Sequence, residues 1–168
     1  MLIRVEIPVD AMGIDSLLRQ SFETSAEAEL VHQLREDGLL TLGIVATDDE
    51  GQVIGYAGFT PVDINGEDRQ WVGLAPLAVA EEHRHRGLGE KLVYEGLDSL
   101  NEFGYSAVVV LGEPEYYLRF GFKPASEYQL HCPWPDCEEY FLIYPLADFS
   151  LKEYQGLVTY PTQFEALW

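Results

Sequence analysis

The chain has 168 residues, of which 47% are hydrophobic and 12% aromatic, so it is long and apolar enough to form a compact domain with a sizeable core. Ten Lys and Arg residues stand against 29 Asp and Glu residues, which gives a formal net charge of −19. A surface this acidic repels nucleic acid and anionic lipid, and we therefore expect neither nucleic acid nor a membrane as a partner. It attracts cationic small molecules or basic protein segments instead.

Neither a repeat nor a low-complexity tract divides the chain, and no apolar run approaches the ~20 residues that cross a bilayer. We expect a single domain over residues 1–168, with a core at about 3–125 and an aromatic-rich C-terminal extension at about 127–168. Residues 1–6 lack the basic start and the apolar stretch of a secretory signal, so the expected location is the cytoplasm.

The chain contains two cysteines, Cys132 and Cys137, which are separated by four residues. A zinc site would need four ligands, with a second Cys or His pair at short spacing, and the sequence offers no such pair. We therefore expect no bound metal and two reduced thiols with a structural role.

The first part of the chain predicts a strand followed by two helices. Alternation of apolar residues over 2–7 indicates the strand, and apolar residues at helical spacing predict a helix over about 11–22 that Asp10 can cap. The pattern Thr24-x-x-Glu27 is that of a capping box, which predicts a second helix ending at Gly38.

Three antiparallel strands in a row are predicted next, at residues 40–46, 53–62 and 70–79. The turn between the last two contains Asn65-Gly66, and both positions of such a turn favour positive φ. Pro76 cannot donate a hydrogen bond to a neighbouring strand, so we expect the third strand to be interrupted or bulged near its end. An opening there would leave backbone groups free for a ligand.

A short basic turn rich in glycine follows the third strand, in the segment His83-Arg84-His85-Arg86-Gly87-Leu88-Gly89. After it, the sequence predicts a helix over about 88–103 and a buried strand over 107–111, which together with the preceding strand make a parallel βαβ unit. Glycines let the backbone approach a ligand closely, and the first N–H groups of the helix favour an anion. Two arginines add positive charge, so this turn is the candidate anion site.

Two familiar phosphate loops do not fit this turn. A Walker loop ends in Gly-Lys-Ser/Thr, which is absent here, and a dinucleotide fingerprint needs a third glycine where Leu92 stands. The remaining pattern, Arg84-x-x-Gly87-x-Gly89, resembles the pyrophosphate loop of the GNAT superfamily of N-acetyltransferases. The resemblance covers about residues 40–123, because the strand before the turn and a later segment with the pattern Tyr-x-x-x-Gly-Phe match the family in the same order. A helix at 24–38 and the ending at 156–164 are similar to a bacterial subfamily of predicted N-acetyltransferases.

The resemblance implies an α+β fold with α/β/α layers, in which a mixed, mostly antiparallel central sheet carries a βαβ acetyl-CoA-binding unit and helices on both faces. It also implies that Leu77, Ala78 and Val79 hold the pantetheine arm of acetyl-CoA through their backbone. The residues implied to hold the pyrophosphate are Arg84, His85, Arg86, Gly87, Leu88 and Gly89. Acetyl-CoA is thus the expected cosubstrate.

Candidate catalytic residues also follow from the resemblance. Tyr117 stands where the family places its general acid, and a phenol near the sulfur can protonate the departing thiolate; the alternative is a core aromatic. The general base is left open among Glu27, Glu29 and Glu113. The first two lie on the helix that walls the acceptor site in the family, and the third follows the βαβ strand.

We expect an N-acetyltransferase that moves the acetyl group of acetyl-CoA to a primary amine of a small cationic molecule or a protein. A non-catalytic acyl-CoA-binding or regulatory module on the same fold is the alternative, and an enzyme for longer acyl chains is a third option. Release of free CoA thiol in the presence of an amine separates the enzyme from the module. The expected partners are acetyl-CoA and an amine acceptor, and a homodimer is left open.

Overall fold

The computed structural model describes residues 1–146 and 152–167, so residues 147–151 and 168 of the predicted C-terminal extension lie outside the described residues. Its α-helices are α1 (Ala11–Ser21), α2 (Ala26–Glu36), α3 (Leu88–Glu102) and α4 (Pro114–Tyr117). Its strands are β1 (Leu2–Val5), β2 (Leu42–Thr47), β3 (Val53–Ile64), β4 (Glu67–Val79), β5 (Ala107–Leu111), β6 (Lys123–Pro124), β7 (Leu130–His131), β8 (Phe141–Pro145) and β9 (Gly156–Thr159). None of the helices in the described ranges has the length and apolar character that a membrane crossing requires.

The described residues form two compact units, and each unit is assembled from separate stretches of the chain. Unit 1 contains residues 1–60, 75–96 and 163–167. Unit 2 contains residues 61–74, 97–146 and 152–162. Three elements, β3, β4 and α3, therefore have residues in both units. The sequence-based expectation of one domain with an extension after residue 127 stays a prediction.

Unit 1 has an antiparallel set of strands with helices on both faces. β2 pairs with both β1 and β3, and Val45 stands opposite Tyr56 in the second pair. These two side chains belong to a hydrophobic cluster with residues of α1 and α2. Successive residues of a strand point to opposite faces. Gly55 accordingly faces Leu88 and Leu92 of α3, which covers the other face.

Unit 2 contains the parallel pair that the sequence predicts. β4 and β5 run parallel with Val72 opposite Val108, and β5 is antiparallel to β8, which also pairs with β6. Residues 107–110 of β5 are almost fully buried, as expected for a strand covered on both faces. β9 pairs antiparallel with the end of β3 and parallel with β7. The mixed, mostly antiparallel fold class is confirmed.

Several local predictions are confirmed by the backbone. Asn65 and Gly66 both have positive φ, 53° and 81°, as their turn requires. The buried stripe of α3 includes Leu92, Leu97 and Leu100. The predicted interruption near the end of the third strand is wrong, because β4 continues through Pro76 to Val79, with a cis Ala75–Pro76 peptide bond.

Both predicted helix caps are wrong. The carboxylate of Asp10 accepts hydrogen bonds from the Arg4 guanidinium at 2.7 and 3.0 Å and from the Ile7 N–H at 2.8 Å, so it caps no N–H of α1. Helix α2 begins one residue later than a Thr24 cap implies, with Ser25 at the N-cap position and no cap hydrogen bond from its side chain. The Thr24 hydroxyl does accept a hydrogen bond of 3.3 Å from the Ala26 N–H, but the predicted capping box does not form. The Asp10 carboxylate therefore binds Arg4, six residues earlier in the chain, instead of the free N–H groups of α1. The later start of α2 leaves the carboxylate of Glu27 out of a capping box.

Candidate active site

The turn between β4 and α3 is exposed and contains two residues with left-handed backbone. One turn of 3-10 helix, Glu81–His83, leads into it, and α3 begins at the buried Leu88. The φ angle is 64° at His85 and 78° at Gly87. Left-handed residues in such a turn direct successive N–H groups toward one side, and a concavity of this kind binds anions. Sequence reasoning identified the glycine but not the left-handed backbone of His85.

Backbone donors of this turn are available for a ligand. Within residues 1–146 and 152–167, the N–H groups of residues 85–90 form no hydrogen bond, whereas the Lys91 N–H donates to the Gly87 carbonyl at 3.1 Å. The first turn of a helix leaves its N–H groups unpaired and carries the positive end of the helix dipole. The turn therefore has both the donors and the charge that a diphosphate requires.

Arg84 has a structural partner in this turn. Its Nε donates a hydrogen bond of 2.8 Å to the backbone carbonyl of Val79, the last residue of β4. This contact fixes the start of the turn relative to the end of the strand and occupies one carbonyl of the predicted pantetheine segment. The remaining guanidinium nitrogens of Arg84 are the ones that a phosphate would meet, and that role stays a prediction.

Arg86 lines a cavity of about 280 Å³ in unit 1. The other lining residues are Met1, Asp48, Asp49, Ile54, His83 and Leu88. The amino group of Met1 forms an ion pair of 3.1 Å with Asp49, so that acid is already neutralised in part. Arg86 is exposed and pairs with no carboxylate among the described residues, which leaves its charge for a ligand.

The side chains of the three predicted pantetheine residues at the end of β4 point to opposite faces of the strand. Ala78 is 5% exposed and belongs to the cluster formed with α1 and α2. Leu77 and Val79 are half-buried and, by strand alternation, point to the opposite face. Ala78 is thus a core residue through its side chain, and any contact that it makes with a ligand is through its backbone.

The two candidate glutamates of α2 differ in burial and in hydrogen bonding. Glu29 is exposed, and its carboxylate accepts a hydrogen bond of 3.2 Å from the Ser25 hydroxyl. Glu27 is half-buried, and its Oε1 is shielded from solvent without a hydrogen-bond partner among the described residues. Leaving a buried acceptor unpaired costs about 1–3 kcal/mol, so such a group calls for an explanation. A donor on a bound molecule would provide one.

A buried polar network that sequence reasoning missed lies in the same unit. The carboxylate of Glu6 accepts a hydrogen bond of 2.9 Å from the Tyr56 hydroxyl and one of 2.8 Å from Arg35 of α2. Glu6 also stands over Gly43, where a Cβ would collide with its carboxylate. The network therefore ties α2, which carries Glu27, to two strands. The sequence gives no signal of this network, because its residues lie far apart along the chain.

Replacement of Tyr56 by Phe is expected to lower the free energy of unfolding by about 1.5–3 kcal/mol, because Glu6 loses a donor to a charged group. Burial first, and the charge of Glu6 second, raise the pKa of Tyr56 well above its ordinary value of about 10. The stabilisation by the neutral phenol is thus present below pH ~10 and is lost above it, where the unfolded chain ionises. Urea titrations from pH 8 to 11 test both points, with Tyr140→Phe, at a 40% exposed position, as the control. Equal stability of the Tyr56→Phe variant and the wild type would contradict the prediction.

Tyr117, in unit 2, is 8% exposed and belongs to an aromatic cluster. Its ring centroid lies 4.9 Å from that of Tyr116, 6.1 Å from that of Phe120 and 5.5 Å from that of Phe122, each in an edge-to-face arrangement. The ring also packs against Gly112, where a Cβ would collide with it. Burial raises the pKa of Tyr117, so its phenol stays protonated at neutral pH, as a general acid must. The core role and the acid role are compatible in one side chain.

Glu113 immediately precedes α4 in unit 2. Its backbone carbonyl accepts hydrogen bonds from the N–H groups of Tyr116 at 3.1 Å and Tyr117 at 3.2 Å, so it starts the helix through its backbone. Its side chain is half-buried. The structure thus gives Glu113 a definite structural role, and its role as a base stays a prediction.

The prediction of two reduced thiols is wrong for this structure, in which Cys132 and Cys137 form a disulfide. Both sulfurs are buried, and the Cα atoms are 6.4 Å apart. The sequence gives the separation of the two cysteines along the chain, whereas bonding depends on the path of the intervening loop, which brings the two side chains together.

The turn after β4 and the parallel βαβ unit are the features that the resemblance to the GNAT superfamily of acyl-transfer enzymes implies, and comparison with known sequences agrees. The model of the "Acetyltransferase (GNAT) family" matches residues 12–122. The chain is 65% identical over 164 residues to "Uncharacterized N-acetyltransferase YhbS" of Escherichia coli K12, covering 98% of each chain. It is 37% identical over 136 residues to "Uncharacterized N-acetyltransferase YjhQ" of the same strain, covering 78% of this chain and 75% of the relative. The chain belongs to the GNAT family and is an acetyltransferase.

Two solved structures show the same fold. The crystal structure of the GNAT family N-acetyltransferase YhbS from Escherichia coli in complex with CoA has a TM-score of 0.96 at 65% identity, covering 98% of this chain and 91% of that one. A GNAT family acetyltransferase from Brucella melitensis in complex with acetyl-CoA has a TM-score of 0.81 at 34% identity, covering 97% of each chain. The predicted family and the predicted enzyme class are confirmed.

Proposed function

We propose that this chain transfers the acetyl group of acetyl-CoA to a primary amine of a small cationic molecule or a protein. The observation that carries the proposal is the turn after β4, where left-handed residues and unpaired N–H groups stand beside two arginines. Two similar proteins of this family were solved with CoA or acetyl-CoA bound. The net charge of −19 supports a cationic acceptor, which such a surface attracts.

The residues of the turn fit the diphosphate of CoA. Gly87 has nothing within 4 Å of the position that a Cβ would take, so a phosphate can approach its backbone. The N–H groups of residues 85–90 supply donors, and Arg84 and Arg86 supply charge. The end of β4, where Leu77 and Val79 are half-buried, is assigned to the pantetheine arm.

Replacing Arg84 and Arg86 together by Ala is expected to weaken CoA binding by about 2–4 kcal/mol, at ~1–2 kcal/mol for each charge-assisted contact. The loss should shrink at high salt, since screening weakens both contacts. Titration calorimetry with CoA and with a pantetheine fragment lacking phosphates measures it, and Arg19→Ala, which removes an arginine paired with Asp15, is the control. An equal loss for CoA and for the fragment would contradict the assignment.

Two side chains are assigned to the chemistry. When bound, acetyl-CoA supplies the thioester carbon that the amine attacks, so a C–N bond forms and the C–S bond breaks. The carboxylate of Glu27 pairs with the substrate ammonium and takes up its proton, which satisfies the unpartnered oxygen. The phenol of Tyr117 gives a proton to the departing thiolate. The nitrogen loses its second proton to solvent as the amide forms, Glu27 also returns its proton to solvent, and the phenol is reprotonated from there.

Replacement of Glu27 by Gln is expected to lower turnover by about 100-fold, because the amide cannot take up a proton, while the melting temperature changes little. Glu36→Gln changes an exposed acid on the same helix and is the matched control, and Glu29→Gln should behave like that control. Steady-state rates at saturating acetyl-CoA give the comparison. Wild-type turnover in Glu27→Gln, with chemistry rate-limiting, would remove Glu27 as the base and leave Glu113 to be tested.

The activity itself is tested by thiol release. Purified protein, acetyl-CoA and a panel of amines, from polyamines and amino sugars to peptides with free N-termini, are expected to yield free CoA with at least one acceptor, above the rate of hydrolysis. Binding of acetyl-CoA without thiol release from any amine would support the non-catalytic module. Faster release from propionyl-CoA or longer acyl-CoA would support the third option.

A further inference from the structure

The segment that joins β7 to β8 contains a group of metal-ligating side chains outside the acetyl-transfer residues. It carries Cys132 and Cys137, with Glu138 at the start of the 3-10 helix Glu138–Tyr140. The two sulfurs and a carboxylate oxygen of Glu138 all lie within 4.8 Å of one another. The cysteines are 7% and 8% exposed, although most residues between them are exposed. Two buried sulfurs and a carboxylate at a solvent-accessible edge are the donor set of a zinc site.

A fourth donor stands beside this group. The Nδ1 atom of His131 lies 3.5 Å from a carboxylate oxygen of Glu138, and both side chains are about half exposed. His131 belongs to β7, which pairs with β9, so its backbone is held in place. Two thiolates, an imidazole and a carboxylate match the ligand types of tetrahedral zinc, and a separation of four residues between the cysteines is within the usual range. The flanking His131 and Glu138 supply the donors for which the sequence has no second Cys or His pair.

We propose that, when the disulfide is reduced, Cys132, Cys137, Glu138 and His131 bind one Zn²⁺ ion. Reduction by a dithiol transfers two electrons and two protons to the pair, which breaks the S–S bond, gives two thiols and converts the dithiol to its own disulfide. Zinc then displaces the two thiol protons and binds two thiolates. In the oxidised form the two sulfurs are bonded to each other, so neither is a thiolate that can bind the metal. The disulfide and the metal are thus two exclusive ways to cross-link this segment.

The loop between the cysteines explains why a cross-link is needed. It contains Pro133 and Pro135 and an Asp136 with a positive φ of 59°, and it has no helix or strand of its own. Within the loop, Trp134 is half-buried and packs on Tyr160, whereas its other residues are exposed, and a covalent bond or a metal reduces the conformational freedom of the unfolded chain. Metal binding to the native state alone stabilises it by mass action. Reduced, metal-free protein is therefore expected to be less stable than either cross-linked form.

Cobalt titration of the full-length protein tests the proposal. Protein reduced and then freed of reductant without oxygen is expected to bind one Co²⁺ per chain, with the sulfur-to-cobalt charge-transfer absorption and the visible bands of a tetrahedral site. Zinc should displace the cobalt, and oxidation to the disulfide should abolish binding. Cys132→Ser and Cys137→Ser should each lose the charge-transfer band. Glu138→Gln and His131→Gln should weaken binding by about 10-fold or more, which is the scale for losing one ligand or its support.

The neighbouring acid provides a matched control, because Glu139 is exposed, like Glu138, but lies outside the donor group. Glu139→Gln should keep wild-type affinity. Circular dichroism of the reduced, metal-free protein shows whether it is folded. Reduced, folded protein that binds no cobalt or zinc would overturn the proposal, as would cobalt binding unaffected by either cysteine substitution. Acetyl transfer is not a readout here, so the result is independent of the proposed function.

Discussion

Replacement of Gly87 by glutamate is expected to abolish acetyl-CoA binding. A Cβ at this position meets no protein atom within 4 Å, so the new side chain extends into the space that the proposed diphosphate occupies. Its carboxylate repels the phosphates, and the left-handed backbone, with φ of 78°, disfavours any side chain. Loss of two or more charge-assisted contacts, at ~1–2 kcal/mol each, together with the repulsion between carboxylate and phosphate, predicts a fall in affinity of about 100-fold or more in titration calorimetry.

Gly104→Glu separates the effect on the ligand from the effect on the backbone. Gly104 has a φ of 85° and also has nothing within 4 Å of a Cβ, but it follows α3 at the opposite end from the turn. Both variants should lose similar stability, and only the Gly87 variant should lose acetyl-CoA. Unchanged affinity in a folded Gly87→Glu protein would refute the assignment of the turn to the pyrophosphate.

Replacement of Tyr117 by Phe is expected to lower turnover by about 100-fold or more while leaving acetyl-CoA affinity unchanged. Phenylalanine keeps the ring and its edge-to-face contacts with Tyr116, Phe120 and Phe122, so packing is preserved. It removes the only proton that this side chain can give to a thiolate. Because burial raises the pKa of Tyr117 above its ordinary value, the wild-type rate should not fall through its ionisation below pH ~10.

Tyr116→Phe is the control, since it changes the adjacent phenol and should keep wild-type turnover. The measurements are kcat at saturating amine and acetyl-CoA, the acetyl-CoA affinity and the melting temperature. A purely structural role for Tyr117 predicts a wild-type rate per folded molecule. Should Tyr117→Phe turn over at the wild-type rate with the chemical step rate-limiting, protonation of the thiolate must come from another group or from water.

The sequence alone was sufficient for the elements whose cause is local. Asn65-Gly66 required a turn with positive φ at both residues, and an unbroken β-branched run required a buried strand at 107–111. The basic turn at 84–89 was recognisable because glycines, arginines and a helix start are adjacent in the chain. These elements depend on short-range periodicity or on backbone conformations that few residues adopt. The family, the acyl-CoA assignment and the enzyme class were implied by the resemblance of that turn and its flanking segments to the GNAT pattern.

Elements without a strong local signal were missed. β6 and β7 have two residues each, and β9 has four, so no periodicity could reveal them. These strands exist because neighbouring strands supply their hydrogen-bond partners. The two wrong helix caps have a related cause. Asp10 matched the pattern of a helix cap, but Arg4, six residues earlier, binds its carboxylate, and nothing in the residue pattern indicates that pairing.

Only the tertiary structure decided which of two chemically equivalent side chains is shielded from solvent and which is exposed. Glu27 and Glu29 are two residues apart on one helix, yet the helical turn places one inside with an unpaired oxygen and the other in solvent beside Ser25. Likewise, composition could not show that Cys132 and Cys137 meet. Sequence fixes the donors that a chain can offer. Burial and distance, which arise from contacts between residues far apart in the chain, decide which donors remain unsatisfied and therefore available for chemistry.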